Sequence, residues 1–120
     1  MFQYLSNLQA LCDNCLEPLR EHFNTPIVIG SGYRCPELNK AVGGVATSKH
    51  MYGYAADIHL PDEKTGKQWF LWMMDNLKFD ELLWEKSTPS STTHWIHIAF
   101  KQDAPNRQKV VQNLVKHPQG

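Results

Sequence analysis

Clustered charge is what this sequence lacks most. Its 12 Lys and Arg are matched by 12 Asp and Glu, giving a formal net charge of zero, and no basic run occurs. Nucleic acid and anionic membrane surfaces demand grouped Lys and Arg, so neither is expected as a principal partner. Long apolar runs are missing too. None approaches the roughly 20 residues of a spanning helix, so no membrane insertion is expected. Met1-Phe2-Gln3-Tyr4-Leu5 has no positively charged start followed by a continuous apolar segment. It is not expected to be a secretory signal, and synthesis in the cytoplasm follows. Cysteine is scarce, three in all, and an odd number gives no disulfide framework. Cys12 and Cys15 form a C-x-x-C, yet they fall on the apolar face of a helical pattern, where a free thiol behaves as a small hydrophobe.

What remains is ordinary material for one globular domain. The chain has 120 residues, 42% hydrophobic and 20% charged, enough to bury a core. Leu5, Leu8, Leu11, Cys12, Cys15, Leu16, Leu19 and Phe23 recur at three and four, the mark of an amphipathic helix. Ser6 or Asn7 is a candidate start, and Pro18, lacking an N–H, predicts a kink or a new turn at Glu17-Pro18. Asn24-Thr25-Pro26 closes the element, and Ile27-Val28-Ile29 reads as a short buried strand ended by Gly30-Ser31-Gly32.

Residues 36–42 suit a short helix with proline in its first turn. Residues 55–60 have strand length, with Asp57 and His59 on one face and Ala56, Ile58 and Leu60 on the other. Pro61-Asp62-Glu63 is a turn and an acidic helix entry. Trp69, Phe70, Trp72, Met73, Met74 and Leu77 follow as a core helix. Phe79 to Glu85 and Trp95 to Phe100 read as a hairpin across the polar 86–93 loop. The 110–115 segment suits either a helix or a strand. One α+β domain spanning 1–120, a small antiparallel sheet with flanking helices, is the expected fold.

Three polar residues sit awkwardly in this frame. His50 lies in a glycine-flanked loop, where functional side chains gather. Asp57 lies in an apolar stretch, and a buried carboxylate needs a cation, a metal or several N–H partners. His97 is flanked by Ile96 and Ile98. Two histidines and a carboxylate are a common way to hold a catalytic zinc, with a fourth position left for water. Such a site activates water near neutral pH and polarises carbonyls, so hydrolysis is the natural reading.

Arg34, on the turn after the first strand, could clamp a carboxylate or steady an oxyanion with its planar fork. His94 is a candidate general base or acid. In a regular strand, however, it faces away from His97, and Glu85 is its rival. His59 reads as structural, His22 and His117 as surface residues.

These residues also form a recognisable ordered set. Ser31-Gly32-Tyr33-Arg34, Leu38-Asn39, Val42-Gly43-Gly44, Ser48-x-His50-x-x-Gly53-x-Ala55-x-Asp57 and Trp95-Ile96-His97 resemble the zinc D-Ala-D-Ala carboxypeptidase family. Those peptidoglycan peptidases include phage endolysins and share their fold with the Hedgehog signalling domain. The size, and the strand around Leu82-Leu83-Trp84-Glu85, look most like single-domain phage or prophage members.

The resemblance implies one zinc ion on His50, Asp57 and His97, with Arg34, Tyr33 and Ser48 on the substrate side. It implies a Hedgehog/DD-peptidase-like fold and a monomer acting on peptidoglycan stem or cross-link peptides. Activity at the cell wall after phage-style release is implied as well. In the family an acid/base stands three residues before the last histidine as Asp or Glu, or two before it as His. Here those positions hold His94 and Trp95, a departure from both arrangements. The competing expectation is a zinc domain that binds cell wall or a protein without hydrolysis, since fold alone never decides function.

Overall fold

The structure is a computed structural model that describes residues 3–31, 53–86 and 94–115, with side chains from 5–30, 53–86 and 94–112. Helix α1 (Gln3–Leu11) runs into a π-helical turn (Cys12–Leu16) and then α2 (Glu17–Phe23). The helix therefore begins before Ser6 and Asn7, and Asn7 is buried, accepting from Gln102 Nε2 at 2.9 Å. The expected irregularity at Pro18 is there. Proline supplies no N–H and crowds the carbonyl one turn back, and just ahead of it the backbone widens so that Glu17 N–H reaches Cys12 O, five residues back. Asn24, with φ of 48°, closes α2 in a left-handed cap and donates its N–H to Arg20 O.

The sheet follows with β1 (Ile29–Ser31), β2 (Ala55–His59), β3 (Glu81–Lys86), β4 (His94–Ala99) and β5 (Lys109–Val115), in the spatial order β1-β2-β4-β3-β5. Between β2 and β3 lies helix α3 (Glu63–Asn76). The Asp62 carboxylate caps it by accepting from Thr65 N at 2.7 Å, as the acidic entry predicts. No described helix is long and apolar enough to cross a membrane.

The α+β class is as expected, with two changes of detail. β1 is shifted towards Ser31 from the expected 27–29, and it is an edge strand rather than a buried one: Val28 is 57% and Ile29 39% exposed. β5 is a strand and pairs with β3 in parallel, so the sheet is antiparallel except at that edge. Parallel pairing requires the chain to be brought back between the two strands. Antiparallel β4 does this, and the segment after it passes from the end of β4 to the start of β5 at the same end of the sheet. The predicted hairpin holds as the antiparallel pair β3–β4, in register from Glu81↔Ala99 to Lys86↔His94.

Alternation along the strands gives the sheet two unlike faces. Ala56, Ile58, Leu82, Trp84, Ile96 and Ile98 point to one side and pack with Trp69, Phe70, Met73, Leu11, Cys15 and Leu19 from the helices. Gly66 lets α3 lie close to the sheet, since a methyl there would meet Leu60 Cδ1 at 2.5 Å and the Trp84 ring at 3.0 Å. Cys15 belongs to this core. Its thiol donates to Lys78 O at 3.6 Å, and burial, with Cys12 beside it, pushes its pKa up to about 12. The other face is where the chemistry collects.

Candidate active site

Register alone brings the central pair together. Asp57 on β2 stands directly opposite His97 on β4, 40 residues away in the chain. His97 also stands opposite Leu83 on β3. Side chains two residues along a strand share a face, so Glu81 and Glu85 flank His97 diagonally, one on each side of Leu83. The result is a buried group on the face away from the core.

The geometry is tight. His97 Nδ1 lies 3.1 Å from Asp57 Oδ1 and 3.9 Å from Glu85 Oε1, while its Nε2 lies 3.5 Å from Glu81 Oε1. Asp57, Glu85 and His97 are each under 10% exposed. Trp95, opposite Glu85 in the ladder, donates its indole N–H to Glu85 Oε1 at 3.1 Å. Burial by itself would lower the pKa of His97. The hydrogen bond to Asp57, the Glu81 carboxylate 3.5 Å from Nε2 and the charges of Asp57 and Glu85 outweigh it and raise the value to about 9. Gly53, at φ of 75°, turns the chain into β2 in a conformation that suits glycine.

This donor set fits a metal ion. One ligand atom each from Asp57, Glu85 and His97 falls within 4.8 Å of the others. Two ligands about 2.0–2.2 Å from a tetrahedral zinc are themselves about 3.4 Å apart. The Asp57–His97 separation of 3.1 Å is close to that.

Of the residues singled out from sequence, Asp57, His97 and Glu85 are brought together. Glu85 is buried and not a solvated strand end. The structure separates His94 from the group. β4 begins at His94 and runs regularly, so His94 faces the opposite side of the sheet from His97. There its Nδ1 accepts from Trp84 Nε1 at 2.9 Å. His59 is exposed and His22 stacks on Trp72 with ring centroids 4.5 Å apart. Tyr33, Arg34, Ser48, His50 and His117, the expected 36–42 helix and Cys35 lie outside the described residues. Glu81 was not foreseen. Its one signal in the sequence is the spacing from Glu85, four residues on and therefore on the same face of the strand.

A model of the peptidase M15 family matches residues 4–99. The chain belongs to the peptidase M15 family. That match takes in all four side chains of the group, from Asp57 through Glu81 and Glu85 to His97. A 33-residue stretch is also 48% identical to the zinc D-Ala-D-Ala carboxypeptidase of Streptomyces albus G. That similarity covers 28% of this chain and 13% of the Streptomyces protein's length. β5 and the segment leading into it, including Arg107, fall beyond the part that matches the M15 model.

Proposed function

We propose that this protein is a zinc-dependent peptidase that hydrolyses amide bonds in peptidoglycan stem or cross-link peptides. The bond would be that of a D-Ala-D-Ala carboxypeptidase or of an endolysin-like endopeptidase. The observation that carries the proposal is the buried pair Asp57–His97, set face to face by strand register with Glu85 beside it. Membership of a peptidase family and the local likeness to a zinc carboxypeptidase support it.

Asp57 and His97, together with His50, would hold one zinc ion. Zinc bound there supplies a lowered pKa for water and a polarised substrate carbonyl. Glu85 is our assignment for the general base and acid in place of His94, because its carboxylate lies 3.9 Å from His97 Nδ1, the nitrogen that faces Asp57. Its Oε1, fixed by the Trp95 indole, would take a proton from the attacking water and return it to the leaving amine. The low exposure of Glu85 keeps bulk water from competing for that proton. Arg34, with Tyr33 and Ser48, would hold the substrate's carboxylate or the developing oxyanion. We place the protein as a monomer of the phage or prophage type, reaching the wall on lysis.

Digestion of purified peptidoglycan by zinc-loaded protein, with and without chelator, tests this. Fragments released and read by mass spectrometry are expected with zinc and lost with chelator, and their masses name the bond. Stoichiometric zinc with no fragments would leave a binding domain in place of the hydrolase.

A further inference from the structure

Glu81 is neither one of the ligands named above nor the base, yet it faces the far nitrogen of His97. Its Oε1 is 3.5 Å from His97 Nε2, and its Oε2 accepts from Arg107 at 2.8 Å. One carboxylate thus spans an imidazole and a guanidinium. Arg107 is itself held firmly. Its Nε and second guanidinium nitrogen donate to Asp80 at 3.1 and 3.0 Å, and its backbone N–H donates to Asp80 Oδ1 at 3.2 Å.

The segment around Arg107 is sewn to the entry of β3. Gln108 N–H donates to Phe79 O, Lys109 N–H to Asp80 O, and Phe79 N–H to the Gln108 side chain at 2.7 Å. The Gln108 amide also donates to Leu77 O at 3.0 Å. These bonds hold Gln108 at φ of 54°, a left-handed conformation unusual for a side-chain-bearing residue. The turn fixes where Arg107 enters, and Arg107 fixes Glu81.

A histidine that binds a metal through one nitrogen is oriented by what its other nitrogen meets, and a carboxylate there holds the ring plane and raises ligand basicity. We infer that Glu81 is a positioning residue that holds His97 with Nδ1 turned to the metal site, and that Arg107, from beyond the part matching the M15 model, anchors Glu81 for that task. This rests on the metal-peptidase reading above. It adds that β5 and its lead-in segment serve the site.

The test is zinc affinity, by competition with a chelating dye, for the whole protein and for E81A, E81Q, R107A, E81A/R107A and H97A, with cobalt absorption spectra of each. Thermal unfolding of the metal-free forms verifies folding. E81A is expected to weaken zinc about 10- to 100-fold and to alter the cobalt ligand-field bands. E81Q, which keeps an oxygen for His97 Nε2–H, is expected to recover most of that loss. R107A should weaken zinc in the wild-type background and add nothing further in E81A, because its effect on the metal runs through Glu81.

Wild-type affinity in E81A, with H97A having lost zinc, overturns the inference and spares the peptidase reading. Full additivity of E81A and R107A in zinc affinity overturns the Arg107 half. If the wild-type protein and H97A alike take up no zinc, the metal reading fails and the inference with it.

Discussion

Among the described residues, carboxylates are buried in two places and treated differently. Asp80, with no solvent exposure, is answered from within the chain: the Arg107 fork grips it, Arg107 N–H adds a third bond, and Lys101 Nζ stands 3.9 Å away. Asp57 and Glu85 converge instead on an imidazole, a group that can exchange its proton for a metal ion. One arrangement is complete as a structural joint. The other is built from the atoms that ligate metals, on the face of the sheet opposite the core. Burial is common to both, so burial is not what marks a site. The kind of partner is.

Substitutions can sharpen that contrast. The largest effect is expected at Glu85. E85Q keeps the Trp95 contact and the side chain's shape, and should lower kcat by about 10²–10⁴-fold while zinc is retained. Zinc lost from E85Q as it is from H97A would make Glu85 a ligand and not a base.

At the structural joint the outcome should be the reverse. R107A leaves the Asp80 charge buried without its main partner, and urea unfolding of the metal-free protein should show a loss of about 3 kcal/mol. Acid should narrow that gap. Burial pushes the Asp80 pKa up, but the Arg107 hydrogen bonds and the Lys101 and Arg107 charges prevail and hold it below its ordinary 3.8. An acid with a depressed folded pKa contributes stability above its unfolded pKa, and that contribution is lost as pH falls through the folded value. Wild type and R107A should therefore converge in stability below about pH 4. A gap constant from pH 7 to pH 3 would show that Arg107 stabilises by some other route.

The smallest effect belongs to His94. H94A removes the acceptor of the Trp84 indole and should cost about 1 kcal/mol, with peptide turnover unchanged. Loss of turnover at full stability would return His94 to the chemistry.

Much of this was legible in the sequence because it is local. Alternation of apolar residues around Asp57 set which face it shares, and Pro18 announced the irregular helix. The objection to His94 was a matter of strand parity, and β4 is regular enough for parity to hold. Pairing across distance was not legible. Nothing local says that 110–115 joins β3 in parallel, or that Arg107 meets Asp80 and Glu81, because those contacts are set by how the sheet closes. The exposure of Val28 and Ile29 was missed for the same reason: composition reports a strand, while strand order decides whether it lies at an edge.

Asp57 and His97 are neighbours only because β2 and β4 pair in one register. A slip of a single residue would turn Asp57 towards the core and carry Ile58 into its place, since every side chain on the strand changes face. A zinc ion bound there would thus proofread the fold, closing only on molecules whose central seam is aligned. Metal uptake during refolding would then serve as a clock for the moment that seam locks.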